Sequence, residues 1–270
     1  MHVVSGEQVA VKVCNKKDLR RRGELTLSVR REIATIKALR HRNLVGLRQV
    51  HSSKNKLYIV TELVEGGCAF DRLLALPPPT VSDLGGAPAV GVTSGGVPEA
   101  DARALFIQLA AAVAYCHRRG VAHRCLKPEN LLLGPGGRLL ISDLAVAALH
   151  GAADATELFI TTAATPNYVA PELIVTAAAA AAAAASGVKS SAAAGGGQPA
   201  AVNEHGVMSP LDYSPEAVDA WSSGIILYTL LAGFLPWDAP SVNGVLTKIT
   251  AAPLQFPPHV PSPARHLLRQ

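Results

Sequence analysis

Two compositionally biased segments leave this chain only three stretches from which a core can be built. Residues 77-PPPTVSDLGGAPAVGVTSGGVP-98 combine Pro, Gly and Ser, a composition that favours irregular connection over packed structure. The second segment spans roughly 176–210. It holds nine consecutive alanines, Ala177–Ala185, and then 194-AGGGQPAA-201. Alanine has the highest helix propensity, yet so short a run is marginal as an isolated helix in water. The segment is therefore expected to be a disordered or partly helical insertion.

The stretches between these segments differ in kind. Residues 8-QVAVKVC-14 are β-branched and alternating, the pattern of a strand. Val29, Ile33, Ile36 and Leu39 then recur at helical spacing. Strand-like runs follow at 44-LVGLRQV-50 and 57-LYIVTEL-63, and Gly66 and Gly67 punctuate the chain. Beyond them Leu105, Leu109, Ala112, Val113 and Cys116 share one face of a predicted helix. Short strands are predicted at Leu131–Leu133 and Arg138–Ile141. Further helices are predicted near Ala217–Ala232, near Val242–Thr250 and at the C-terminal end. A small sheet carrying one helix, followed by a mainly helical part, is an α+β architecture. Aromatic residues make up only 4% of the chain, so its core is expected to be aliphatic.

Charge and cysteine content exclude several classes. The formal net charge of +5 comes in good part from 16-KKDLRRR-22 and 30-RREIATIKALRHR-42. Without clustered aromatics these runs read as solvated faces and not as a nucleic-acid surface. Cys14, Cys68, Cys116 and Cys125 form no C-x-x-C pair, and the nine histidines show no H-E-x-x-H spacing. A disulfide framework and a structural zinc site are thus disfavoured, and a reducing compartment fits. The N-terminus lacks the apolar core of a signal peptide. The longest lipophilic run, 224-GIILYTLLAGFLPW-237, is too short to span a bilayer. A soluble, cytoplasmic or nuclear protein is expected, with no membrane span.

Several motifs stand in a telling order. The strand run ends in a lysine at 9-VAVK-12, and Glu32 lies on the following helix in 31-REIATIKALRH-41. Taken alone, each is an ordinary surface charge. The central stretch 115-YCHRRGVAHRCLKPENLLL-133 is more specific: it matches H-R-D-L-x-x-x-N at every named position but one. Asp143 follows in 141-ISDLAVAAL-149, then 161-TTAATPNYVAPE-172, then 217-AVDAWSSGIILYTLLAGFLPWD-238. Together these resemble the protein kinases. Lys127 is the serine/threonine-kinase choice, and TPNYVAPE and LLAGFLPWD are most similar to the calcium/calmodulin-dependent group. Within it the resemblance is strongest to plant and algal kinases partnered by calcineurin-B-like calcium sensors.

The resemblance implies a two-lobed fold, with a partial small lobe at 1–64 and a large lobe at 65–270. It also implies ATP and Mg²⁺ as cofactors, and as partners a protein substrate, an interacting protein or a calcium sensor. Lys12 would contact the nucleotide phosphates and Glu32 would pair with Lys12. Asn130 and Asp143 would ligate Mg²⁺, for which hard oxygen donors are suited, and Lys127 would steady the γ-phosphate. Glu62 and Val64 fall at the hinge that meets adenine, Thr61 takes the gatekeeper position, and Ala10 and Leu132 would sandwich the adenine ring. Asp219 would hold the catalytic-loop backbone from below. Thr161 matches the activation-loop phosphosite, with Arg124 placed to receive its phosphate. Thr161 and Thr162 also read as plain exposed loop hydroxyls.

The pattern breaks in the middle and at both ends. Cys125 stands where the family carries the aspartate that accepts the substrate hydroxyl's proton. Arg124 and Lys127 would lower the thiol's pKa, but a single sulfur is a poor proton acceptor, and losing a general base costs on the order of 10²–10⁴ in rate. Taken by itself Cys125 is either an inert buried thiol or a redox-sensitive one. Leu144 and Ala145 follow Asp143 where the family has Phe and Gly, and Cys68 replaces an acid that meets the ribose. No G-x-G-x-x-G occurs in the sequence, so the small lobe is expected to be incomplete at its N-terminus. The large lobe is expected to be incomplete at its C-terminus, since 264-ARHLLRQ-270 supplies no counterpart for the arginine that pairs with Glu172. The sequence thus points to a pseudokinase, with a weakly active serine/threonine kinase as the alternative.

Overall fold

A computed structural model of the chain describes residues 6, 8–15, 27–74, 96–145, 165–185 and 213–270. Strand β1, Val9–Asn15, is followed by helix α1, Leu27–Ala38, and strands β2, Leu47–Ser52, and β3, Lys56–Glu62. The three strands form one antiparallel sheet in the order β1-β3-β2. Opposed residues share a face. Leu57 and Ile59 are almost wholly buried on the inner face. That face also carries Lys12 opposite Ile59, Ala10 opposite Thr61 and Cys14 opposite Leu57. Val11 and Val13 lie on the outer face and are half exposed. Helix α1 turns Ile36 into the core, and the following loop adds Leu39 and Leu44.

The segment 43–45 joins this sheet to the rest of the molecule. Leu44 bridges Ile141 in parallel, with Val45 N donating to Ile141 O (2.9 Å) and Ile141 N to Asn43 O (2.9 Å). The predicted strand at 44–50 is therefore divided. Its first residues pair with the large lobe, and only from Leu47 does the chain join β2. Asn43 is buried at this junction, where its Nδ2 donates to Gln108 Oε1 (2.8 Å) and Leu139 O (2.6 Å).

The large lobe is built on two long helices, α3 at Glu99–His117 and α5 at Pro215–Ala232. On α3 the predicted face is the buried one: Leu105, Leu109, Ala112, Val113 and Cys116, with Ala102 added. Helix α5 is apolar nearly all round and is correspondingly buried. Its start is fixed by Ser214, whose hydroxyl accepts from Ala217 N (3.2 Å), and by Pro215; its end is fixed by Gly233 at φ 84°. Three buried hydroxyls are satisfied within the helix itself, as Ser222, Ser223 and Thr229 donate to the carbonyls of Val218, Asp219 and Ile225. The hairpin β4, Leu131–Gly134, and β5, Arg138–Ile141, lies beside α3. Short helix α2, Ala69–Leu74, leads out of the hinge. Helices α4, Pro171–Ala185, α6, Val242–Ala251, and α7, Ser262–Leu267, complete the described part.

The nine-alanine run is the C-terminal part of α4. A packed first turn supplies the nucleus that an isolated alanine run lacks: Leu173, Thr176 and Ala177 are buried. The helix reaches Ala185, in keeping with the partly helical alternative; the rest of the expected insertion lies outside the described residues. Among the described residues no helix is long and apolar enough to cross a membrane.

The hinge connection runs over β4 so closely that glycine is required. A Cβ placed on Gly66 would sit against the Leu133 carbonyl oxygen, far inside contact distance, with backbone and not a flexible side chain in the way. We expect Gly66→Ala to cost about 1–3 kcal/mol of stability, read as a lowered midpoint in thermal unfolding, whereas Ala substitution at Gly224, which has open space around it, leaves the midpoint unchanged or raises it.

Candidate functional site

The loop at 123–130 owes its shape to a carboxylate beneath it. Asp219, on α5, is 1% exposed. Its Oδ1 accepts from Arg124 N (2.6 Å), and its Oδ2 accepts from His123 N (2.7 Å) and His117 Nε2 (2.8 Å). These bonds hold Arg124 at φ 62°, in the left-handed region that non-glycine residues rarely occupy. Sequence reasoning anticipated Asp219 but missed His117, whose spacing on α3 alone does not reveal a partner on α5.

Above that anchor the loop is tied to the turn that follows β5. His123 Nδ1 accepts from Cys125 N (3.3 Å), so its proton resides on Nε2, which donates to Ser142 O (2.8 Å). Ser142 N donates to Asn130 O (2.8 Å), and Asn130 Nδ2 donates to Cys125 O (2.8 Å). Asn130 therefore directs its amide nitrogen at the loop and keeps Oδ1 as an oxygen donor. Asp143 follows at φ 67°, a second left-handed residue in the same small region. Leu144 is buried in the main core.

The ion pairs around this loop differ from expectation. Lys12 Nζ meets Asp143 Oδ2 at 2.8 Å, and Arg124 Nη1 meets Glu32 Oε1 at 3.0 Å. The expected Lys12–Glu32 pair is not formed. Arg124 is buried and its Nε has no hydrogen-bond partner, so it needs a carboxylate more than the half-exposed Lys12 does. Arg124 is thereby engaged by Glu32; Thr161 and Thr162 lie outside the described residues. Lys127 Nζ donates to Thr165 Oγ1 (3.3 Å), a partner the sequence did not suggest.

Cys125 is half-buried in the middle of this arrangement. Burial pushes its thiol above the ordinary value of 9.0; Lys127 opposes the shift, and Asp143 adds to it. The expected lowering by Arg124 and Lys127 is overturned. Desolvation outweighs Lys127, and the guanidinium of Arg124 is turned to Glu32. At neutral pH Cys125 is a protonated thiol.

At the hinge, Glu62 N donates to Gly46 O (3.0 Å), and Leu133 N donates to Gly67 O (3.0 Å). Thr61 and Glu62 end β3 and Val64 lies in the connection, with Ala10 on β1 opposite Thr61. Leu132 on β4 bridges Cys68, whose thiol donates to Pro128 O (3.3 Å). Ala10 and Leu132 thus belong to the two sheets on either side of the connection. Lys12, Cys125, Lys127, Asn130 and Asp143 are drawn together at the inner end of the same cleft.

The family model for the protein kinase domain matches residues 1–187. The chain belongs to the protein kinase family. Among curated relatives, CBL-interacting protein kinase 32 of Oryza sativa subsp. japonica is 35% identical over 264 residues, which cover 98% of this chain and 48% of the relative. CBL-interacting serine/threonine-protein kinase 24 of Arabidopsis thaliana is 35% identical over 266 residues, 98% of this chain and 47% of the relative. The chain spans about half the length of the curated relatives it matches. In this kinase fold the expected α+β, two-lobed architecture is present, with the sheet of β1–β3 in the small lobe and α3 and α5 at the centre of the large one.

Two outcomes follow for this kinase domain. Asp219→Ala leaves two loop amides and His117 without their acceptor, and should lower stability by about 3 kcal/mol, measured by urea unfolding. Alkylation of Cys125 by iodoacetamide, followed by mass spectrometry, should be slow at neutral pH and still rising with pH beyond 9, because only the thiolate reacts and the folded site holds the thiol protonated.

Proposed function

We propose that this kinase domain is a pseudokinase: a nucleotide-capable, protein-binding module of serine/threonine-kinase ancestry with phosphotransfer impaired or lost. The observation that carries the reading is a neutral thiol, Cys125, at the position of the base, inside a loop whose other hydrogen bonds are intact. A protonated thiol has no lone pair basic enough to take the proton from an incoming hydroxyl. It also lacks the second oxygen with which a carboxylate orients that hydroxyl.

The residues present fit a nucleotide with Mg²⁺. Asn130 Oδ1 and the half-exposed Asp143 carboxylate are hard oxygen donors, and their partners leave oxygen atoms for a cation. Bound Mg²⁺ would screen the phosphate charge and polarise the terminal phosphoryl group. Lys12 would turn from Asp143 to the phosphates, and Lys127 would steady the terminal one. The small lobe, 1–64, and the large lobe, 65–270, would close on the adenine at Glu62 and Val64, between Ala10 and Leu132. Loss of the Arg124–Glu32 pair, on phosphorylation of Thr161, would free Glu32 for Lys12. A calcium sensor of the calcineurin-B-like class is the proposed partner, in keeping with the names of the relatives.

A second reading, a weakly active protein serine/threonine kinase, draws on the lysines and metal-side oxygens gathered around Cys125. Phosphate transfer from γ-labelled ATP to a generic protein substrate separates the two. The pseudokinase reading expects the wild-type rate to lie about 10²-fold or more below that of Cys125→Asp; equal rates would sink it. Asp143→Asn should abolish Mg²⁺-dependent nucleotide stabilisation in a thermal-shift measurement while leaving the unliganded fold in place.

A further inference from the structure

The loop after α1 and the loop after α3 meet around one tyrosine. Tyr115 lies with its ring 4.9 Å from that of His41, and the guanidinium carbon of Arg119 sits 3.7 Å from its centroid. Its hydroxyl accepts from Arg40 N (2.9 Å). Tyr115 therefore pins the two loops together, and the cations around it are displayed side by side: Lys37 from the last turn of α1, Arg40 and Arg42 from the loop after it, and Arg118 and Arg119 from the loop after α3. All five are exposed, and among the described residues none of them has an acidic partner. Their convergence has an independent signature in His41. Its pKa is lowered first by burial and then by Arg42, Arg118 and Arg119, so three guanidinium groups from both loops act on one imidazole. Concentrating so much like charge without counter-charge is a standing electrostatic cost, which an anionic partner would relieve.

We propose that the surface formed by Lys37, Arg40, Arg42, Arg118 and Arg119 around Tyr115 is a docking site for an acidic peptide segment of a partner protein. Three features decide the class of partner. The Tyr115 ring is already engaged by His41 and Arg119, and among the described residues no other aromatic side chain lies beside the five cations as a platform for a nucleic-acid base. No large apolar side chain is exposed between Lys37 and Arg42 or between His117 and Gly120, which leaves nothing to insert into a bilayer. Two separated rows of flexible cations suit an extended chain of carboxylates, which makes several salt bridges at once and is steered in at long range. None of the five cations is a residue of the cleft, so the proposal stands apart from the phosphotransfer reading.

The test uses the full chain and a fluorescent oligo-glutamate peptide as probe, with binding read by fluorescence anisotropy. Wild type is expected to bind, and to weaken steeply between about 50 and about 300 mM KCl. The double variant Arg42→Gln/Arg118→Gln, whose side chains take no part in pinning Tyr115, should bind about tenfold more weakly, as expected for two lost ion pairs. The control Lys56→Gln/Arg103→Gln removes the same charge from exposed positions elsewhere and should match wild type. Absence of wild-type binding, or equal losses in the two double variants, overturns the proposal. So does a larger effect of Arg42→Gln/Arg118→Gln on binding to phosphatidylserine vesicles or to an oligothymidine than on binding to the peptide.

Discussion

Everything in the cleft rests on a buried carboxylate that does no chemistry. Asp219 sits on the largely buried helix α5 and spends its oxygens on two consecutive backbone amides and one imidazole. An isolated buried carboxylate is costly; three donors make it stable, and the same three bonds force Arg124 into its left-handed conformation. That conformation sends the Arg124 side chain toward Glu32 and leaves Cys125 facing Lys127 and Asp143. The geometry of the site thus derives from packing within α5 and α3, and it survives the loss of the acid at position 125, because that side chain carries none of the loop's hydrogen bonds.

The two ion pairs divide the labour between lobes. Glu32–Arg124 is largely buried, with side-chain exposures of 16% and 10%, whereas Lys12–Asp143 is open, at 49% and 30%. An exposed pair contributes at most about 1 kcal/mol, so Lys12 and Asp143 part at little cost. Parting the buried pair leaves charges without water to replace the lost partner. Glu32 is therefore held to Arg124 more firmly than Asp143 is to Lys12.

Local patterns made most of the fold legible, and coupling across the chain made the rest obscure. The alternation in 8-QVAVKVC-14 and the helical spacing of Leu105, Leu109, Ala112, Val113 and Cys116 correspond to β1 and α3: α3 buries that face in the core, and β1 is held by its pairing with β3. The division of 44–50 was hidden, since pairing of Leu44 with Ile141 depends on a strand far along the chain. The alanine run was only half legible: which of its two expected states it takes depends on the packing of Leu173 and Thr176 before it, and not on its own composition. At the site, motif order led to the expectation that Lys12, Cys125, Asn130 and Asp143 lie near one another, as they do, while partner choice was not readable. Which acid Lys12 meets is a competition with Arg124, and which way the Cys125 pKa moves is a competition between desolvation and Lys127. Neither competition has a sign that spacing alone can supply.

The exchange of aspartate for cysteine has a consequence beyond the missing base. Asp143 contributes to the rise of the Cys125 pKa, so the two side chains lie within electrostatic reach. A carboxylate at position 125 would stand against a second carboxylate at 143, and the two would compete for the lysines beside them. With a neutral thiol that repulsion is gone, and Lys12 is committed to Asp143 alone. On the pseudokinase reading proposed above, the same exchange that takes away the base would also lower the electrostatic cost of the unliganded site, so that stability and turnover would pull in opposite directions at this position.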